Sequence, residues 1–318
     1  MVKNMLDFSN FSAQELTTIL DRAAAIKKNP EKFGDILKGK KLYMLFEKTS
    51  TRTFLSFAAG ITELGGSYYN QLWKDSNFTI GDPVSELLYV CRNVDIIMAR
   101  LKYNKTVKLF GEKTVRPFIN GCDNTFHPCQ ALADVMTVKE TFGTYQVKML
   151  YIGAKNNVLN SLIETLPRLG GELYSYTPIE NKTEVAADFY ENAKKGGNYT
   201  ELDPSMPAAE LKKLVNGMDV VYTDTWVDME FFSNPEYADY KEQVIKKMMP
   251  CQLSEDLLEN SKAVVLHDMP MHIGYEISQG IADKNLDHIL DQAENRRHAE
   301  KAVMVTLLWE DSMQSYFD

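Results

Sequence analysis

Short apolar runs alternate along the chain with longer stretches whose apolar residues recur at helical spacing, a pattern that predicts parallel sheets covered by helices. Lys41–Phe46 (KLYMLF) reads as a buried strand, followed by a loop at Glu47–Thr53. The next helix carries Phe54, Leu55, Ala58, Ile61 and Leu64 on one side, and Gly65-Gly66 stops it. Asp95–Arg100 and Pro117–Asn120 read as further strands. A helix then runs from Pro128, a favoured first-turn residue, to Phe142. A second series repeats the plan. Val147–Ile152, Glu172–Tyr176, Asp219–Thr223 and Ala263–Leu266 are strands, and a turn at Gly153–Asn157 opens a helix bearing Leu159, Leu162, Ile163 and Leu166. The last helix spans Ala293–Trp309. The expected fold is α/β, with two doubly wound parallel-sheet domains and the C-terminal helix packing back on the first. The expected domains are residues 1–135 with about 293–318, and residues 145–290, hinged near 132–147.

Composition narrows the functional classes. A chain of 318 residues that is 44% hydrophobic buries enough core to need no disulfide staple. Cys91, Cys122, Cys129 and Cys251 form no CxxC pair and no zinc-ligand spacing, so four reduced thiols in a cytoplasmic protein are expected. The first residues lack the apolar segment of a secretory signal, and the longest apolar runs are strand-length, so no membrane partner is expected. A formal net charge of -9 argues against nucleic acid as a partner. It leaves an anionic substrate open, because a site can be locally basic within an acidic protein.

Two clusters carry candidate chemistry. Ser50, Thr51, Arg52 and Thr53 sit where a strand ends and a helix begins, which is where an open α/β sheet binds ligands and where a helix dipole favours an anion. Three hydroxyls and a guanidinium fit phosphate oxygens, whereas ordinary helix capping accounts for only one of the hydroxyls. Neither a Walker-type loop nor a dinucleotide-binding glycine pattern is present, so ATP and NAD have no motif. In His127-Pro128-Cys129-Gln130, a histidine at a helix mouth and a carboxamide one turn on could hold a carbonyl oxygen and an amide nitrogen. A capping histidine beside a solvated glutamine is the plainer alternative.

Taken in order, these clusters resemble the two signatures of the aspartate/ornithine carbamoyltransferase superfamily. Asn156-Asn157, Asp224-Thr225-Trp226 and Ala293-Glu294-Asn295-Arg296 resemble the ornithine branch in particular, and the matches extend over residues from about 40 to about 308. The resemblance implies transfer of a carbamoyl group from carbamoyl phosphate to an amine, without a cofactor or metal. It implies two domains that close on the substrates, and a homotrimer with active sites at subunit interfaces. Ser50, Thr51, Arg52 and Thr53 would hold the phosphate. Arg100 would reach the phosphate and the carbonyl oxygen, His127 and Thr53 would polarise that oxygen, and Gln130 would receive the carbamoyl NH2. Arg296 would add charge near the leaving group. Asn157 and Asp224 would bind the amino-acid end of ornithine, together with Asp228 and Met229. Main-chain carbonyls of Asp268 and Met269 would meet the carbamoyl nitrogen, which places Asp268 with Arg52, Thr53, Arg100 and His127 among the expected catalytic residues.

The amine half departs from the family pattern. Asp228-Met229-Glu230 stands for the family's Ser-Met-Gly, and His267-Asp268-Met269-Pro270 for His-Cys-Leu-Pro. Phe54 replaces an arginine, and Thr79 aligns with a residue that some relatives lend across the subunit interface. Extra carboxylates favour a cationic acceptor: ornithine first, with lysine or a diamine such as putrescine close behind, and aspartate disfavoured. They also hold the attacking ammonium in its charged form, from which an alkaline rate optimum is expected. His267, Asp268 and His272 match no metal spacing, and Cys129 is not needed as a nucleophile. Two rival classes remain at this point: a phosphosugar-type enzyme using the Ser50–Thr53 loop, and a non-catalytic relative that only binds carbamoyl phosphate or an amino acid.

Overall fold

The computed structural model describes residues 3–227, 229–232 and 234–318. Nine strands are named among them: β1 (Lys41–Phe46), β2 (Ser67–Leu72), β3 (Ile96–Arg100), β4 (Phe118–Cys122), β5 (Lys148–Lys155), β6 (Glu172–Glu180), β7 (Tyr199–Glu201), β8 (Val220–Thr223) and β9 (Val264–His267). The helices that matter for the site are α1 (Thr51–Glu63), α2 (Pro83–Cys91), α3 (Asn104–Lys113), α4 (Pro128–Phe142), α5 (Asn157–Thr165), α6 (Met229–Phe232), α7 (Ala238–Met248) and α8 (Leu286–Leu307).

The strands form two all-parallel sheets, a four-stranded one in the order β2-β1-β3-β4 and a five-stranded one in the order β7-β6-β5-β8-β9. Each is doubly wound. The chain starts in the middle, builds outward on one side, then returns to build on the other. The direction reverses between β1 and β3 in the first sheet and between β5 and β8 in the second, and these reversals open the crevices where such sheets bind ligands.

The chain divides into two compact units, Met1–Met136 with Thr183–Val185 and Glu294–Asp318, and Thr137–Lys182 with Ala186–Ala293. In the first, Leu45, Ile97, Ala99 and Phe118 of the sheet pack with Leu87 and Val90 of α2 and Val107 and Phe110 of α3. In the second, Leu150, Ile152, Val221 and Val265 pack with Val244 and Met248 of α7.

Several expectations shift by a turn or are missing. The helix after β1 begins at Thr51, inside the expected loop, because Ser50 caps it by accepting the N–H of Thr53. Leu55, placed by periodicity on the apolar side, is 61% exposed. The final helix starts at Leu286 rather than Ala293. Neither β2 nor β7 was anticipated. The sequence of β2, SYYNQL, is largely exposed, so no apolar run marks it, and β7 has only three residues.

The expected return of the last helix is present, since α8 from Glu294 onward belongs to the first unit. Gly60 of α1 permits the approach: a Cβ there would lie 3.1 Å from Lys301 Cγ. Lys301, 1% exposed, runs its stem across that contact and donates from Nζ to Glu63 Oε2 at 2.7 Å. Arg297 Nη1 donates to Glu63 Oε1 at 3.0 Å. Removing the whole stem should therefore cost more than removing the charge. Lys301→Ala is expected to lose about 2–4 kcal/mol in urea unfolding and Lys301→Met about 1 kcal/mol, because Glu63 keeps Arg297 and solvent. Equal losses would show that the ion pair, not the packed stem, fastens this helix.

Candidate active site

In the first unit the reversal between β1 and β3 is occupied by a hydroxyl. Thr53, fully buried in the first turn of α1, has Oγ1 3.1 Å from Ser50 Oγ. Arg100, the last residue of β3, donates from Nη1 to Thr53 Oγ1 at 3.3 Å. Arg296 on α8 donates from Nη2 to the same atom at 2.8 Å. A hydroxyl offers two lone pairs and one proton. Thr53 Oγ1 therefore accepts from the Ser50 hydroxyl and stands before two guanidiniums, more donors than its two lone pairs can hold, and its own proton remains to be given. Two cations aimed at one neutral oxygen repel each other, and an anion between them would relieve that repulsion. Arg52 lies half-buried in the same turn of α1, and Thr51 is exposed at its start.

His127 immediately precedes α4, and its main-chain carbonyl accepts from Gln130 N at 3.1 Å and Ala131 N at 3.2 Å. Burial drives its imidazole well below the ordinary histidine range, and the charges of Arg296, Arg100 and Arg52 drive it further. The ring is neutral across the physiological range, so it offers one N–H donor without acting as a strong acid. Gln130, 1% exposed, donates from Nε2 to Asp134 Oδ1 at 2.9 Å, while its Oε1 has no hydrogen-bond partner among the described residues. That oxygen suits an incoming amide N–H. Burial and the Glu300 carboxyl hold the neighbouring Cys129 thiol well above its usual range, which makes it a poor nucleophile.

A carboxylate that the sequence reading missed sets the loop carrying His127. Asp123 Oδ2 accepts from Asn104 Nδ2 at 2.8 Å and Asn120 Nδ2 at 3.0 Å, and its Oδ1 from Thr125 N at 2.6 Å and Phe126 N at 2.8 Å. The sequence Asp-Asn-Thr before His-Pro was the available signal, since an aspartate readily closes such turns on its own backbone. Burial still outweighs these donors and lifts Asp123 to about 6. The preceding residue, Cys122, sits opposite Arg100 in the sheet with φ 143, a costly conformation for a side-chain-bearing residue.

In the second unit the crevice between β5 and β8 holds amides and carboxylates. Asn156 caps α5, its Oδ1 accepting from Val158 N and Leu159 N at 3.1 Å each and from the Tyr151 hydroxyl at 3.1 Å. Its Nδ2 donates to Asp224 Oδ2 at 2.6 Å. Thus Asp224, 6% exposed at the end of β8, and Asn157, half-buried at the start of α5, are brought to one crevice. Asp268 follows β9, and burial first, then the charges of Asp224 and Asp268, hold the Tyr151 phenol well above its usual range. Asp228 lies outside the described residues. Met229 opens α6, and its side chain and that of Glu230 lie outside them as well.

His267, fully buried, fixes the segment after β9. Its Nδ1 accepts the Met269 N–H at 2.8 Å, so the ring proton is on Nε2, which donates to Glu276 Oε1 at 3.1 Å. Met269 has φ 62, and this bond holds it there. His272 stacks on Phe232 with ring centroids 3.6 Å apart. Neither histidine joins a metal-binding group, and no cluster of three or more His, Cys, Asp or Glu with that capacity occurs among the described residues. Phe54 packs edge-on against Tyr68, and Thr79 is exposed in a short turn.

The family description "Aspartate/ornithine carbamoyltransferase, carbamoyl-P binding domain" matches residues 3–140, and "Aspartate/ornithine carbamoyltransferase, Asp/Orn binding domain" matches residues 145–307. The chain belongs to the aspartate/ornithine carbamoyltransferase family. Within the family it is 34% identical to the ornithine carbamoyltransferase of Archaeoglobus fulgidus, over 98% of this chain and 99% of that protein. It is also 34% identical to the anabolic ornithine carbamoyltransferase of Pyrococcus furiosus, over 96% of each. The solved ornithine carbamoyltransferase structure from P. furiosus superposes with a TM-score of 0.84 at 32% identity, covering 95% of this chain and 96% of that one. The structure from Thermus thermophilus gives 0.82 at 31%, covering 97% and 99%. Like these relatives, the chain is an α/β protein of two parallel sheets and a carbamoyltransferase-type enzyme. Among the described residues no helix is long and apolar enough to cross a membrane.

Asp123→Asn tests the loop that carries His127. An amide brings two N–H groups among the donors of Asn104 and Asn120 where the protonated acid brings one O–H, so a loss of about 2–3 kcal/mol in urea unfolding at about pH 4 is expected. The folded-state carboxyl is raised to about 6, so its contribution is full below the unfolded value and fades as pH rises through about 6. The stability gap between wild type and variant should therefore narrow between about pH 4 and about pH 6. A gap that widens over that range would contradict the placement.

Proposed function

We propose that this enzyme transfers the carbamoyl group of carbamoyl phosphate to the side-chain amine of ornithine, releasing phosphate. The observation that carries the reading is the convergence of Arg100 and Arg296 on Thr53 at the reversal of the first sheet. Carbamoyl phosphate is assigned to the first unit, residues 1–136 with 294–318, and the amine to the second. Ser50, Thr51, Arg52 and Thr53 take the phosphate at the N-terminus of α1, with Arg100 and Arg296 supplying charge.

The ornithine nitrogen, as the free amine, attacks the carbonyl carbon. Negative charge gathers on the carbonyl oxygen, the bond from carbon to the bridging oxygen then breaks as phosphate departs with that electron pair, and the phosphate takes the proton that the attacking nitrogen gives up. Thr53, Arg100 and the neutral His127 donate to the carbonyl oxygen. Arg52, Arg296 and the helix N-terminus meet the charge on the leaving phosphate. The carbamoyl NH2 donates to Gln130 Oε1 and to the main-chain carbonyls of Asp268 and Met269. No covalent intermediate and no cofactor enters. Asn157, Asp224, Asp228 and Met229 hold ornithine, whose positive charge suits the carboxylates of Asp224 and Asp268.

Ornithine stands ahead of lysine and putrescine because Asn157 and Asp224 are present together and the relatives described above carry its name. A homotrimer fits the exposed apolar residues of the first unit, Leu55, Tyr69, Ile80 and Tyr89. Cytoplasmic residence fits four buried, free cysteines. Light scattering is expected to give the mass of three 36.2 kDa chains, and a monomeric mass would remove that part of the reading.

The deciding assay incubates the protein with carbamoyl phosphate and one amine at a time: ornithine, lysine, putrescine or aspartate. Phosphate release and ureido product mass are both scored. Ornithine should give the dominant product, and product from lysine or putrescine alone would reassign the acceptor. Phosphate bound without product from any amine would refute catalysis. At saturating carbamoyl phosphate the rate should climb toward alkaline pH, as the acceptor ammonium sheds the proton that the carboxylates retain. A flat profile would count against the acidic acceptor site.

A further inference from the structure

Glu300 lies on α8 one turn beyond Arg296, and its side chain is fully buried. Its Oε1 stands 3.7 Å from Arg296 Nη2, beyond a direct hydrogen bond. Neither carboxyl oxygen makes a hydrogen bond of good geometry among the described residues, although the Ser56 hydroxyl lies close by. The same Nη2 is committed to Thr53 Oγ1 at 2.8 Å. The guanidinium is thus turned toward the Thr53 corner, with a carboxyl directly behind it. The reaction as derived above gives that carboxyl no task.

The groups acting on Glu300 come from three helices. Arg296 faces it from α8, the neutral Ser56 hydroxyl from α1 and the Cys129 thiol from α4. One cation at 3.7 Å does not offset complete burial. The desolvation cost dominates and lifts the Glu300 carboxyl to about 8. A buried carboxyl without a well-formed hydrogen bond is most stable neutral, which accounts for an arginine that leans away from it.

We propose that Glu300 is a positioning residue that sets how much of the Arg296 charge reaches a phosphate bound at Thr53. As a neutral acid it leaves the guanidinium on the Thr53 corner. As a carboxylate it draws the guanidinium back to itself, and the corner loses one of its two converging cations. The inference rests on the phosphate reading of that corner and deepens it. Because linkage is reciprocal, a phosphate dianion bound at Thr53 must in turn favour protonated Glu300, so binding takes up a proton near the carboxyl's own titration range.

The test is calorimetric titration of full-length wild type and Glu300→Gln with inorganic phosphate, at about pH 7 and about pH 9, in buffers of different ionisation heat. At about pH 9 only about a tenth of the wild type carries a protonated Glu300, so its affinity should be about tenfold weaker than that of the variant. At about pH 7 the two should agree within about twofold. Wild type should take up a fraction of a proton at about pH 8 beyond any uptake by Glu300→Gln. Glu300→Leu, which removes the polar head altogether, should follow Glu300→Gln. A purely structural role would instead weaken both variants equally at both pH values. Phosphate binding with the same pH profile in wild type and variants overturns the proposal and leaves the phosphate reading standing. No phosphate binding by wild type at either pH overturns both. If either variant melts early, proton uptake by wild type alone decides, and its absence overturns the proposal.

Discussion

Two guanidiniums, from the end of β3 and from α8, share the buried hydroxyl of Thr53. Like charges gather this closely only where the surrounding fold forces them together, and each nearby feature of the first unit serves that end. The cap at Ser50 starts α1 early enough to bring Thr53 into its first turn. The contact at Gly60 and the buried stem of Lys301 fasten α8 to α1, which carries Arg296 to its place. The strained turn at Cys122 sits beside Arg100 and leads into the Asp123 hub that delivers His127. Burial, reinforced by the field of the arginines, keeps that histidine neutral.

The second unit uses the opposite sign. Its crevice is lined by Asp224, held by Asn156, with Asp268 nearby, and the buried Tyr151 phenol feels both carboxylates. A cationic corner in one unit and an acidic crevice in the other follow from the same arrangement of a doubly wound parallel sheet. In each, the loops leaving two neighbouring strands diverge and expose their ends.

The seven apolar strands and the two sheets were legible in the sequence because parallel strands buried on both faces carry continuous hydrophobic runs. Strand β2 was not, since Tyr68, Tyr69, Asn70 and Gln71 at a sheet edge carry no such run. The phosphate corner was legible as a motif, but the sharing of one oxygen by Arg100 and Arg296 was not, because residues nearly two hundred positions apart meet only through packing. Glu300 was invisible for a related reason. A glutamate in a helix ordinarily faces solvent, and only the covering by α1 and α4 makes this one a buried acid.

The way His267 holds the segment after β9 has a bearing on how such a site changes over evolutionary time. The imidazole accepts from the amide of Met269, a group every residue except proline possesses, while the Asp268 carboxyl lies 3.6 Å from the same ring nitrogen. The main-chain bond outlasts any change of side chain at position 268, so sequence variation there acts on the charge beside the imidazole and leaves the amide that fixes the loop in place.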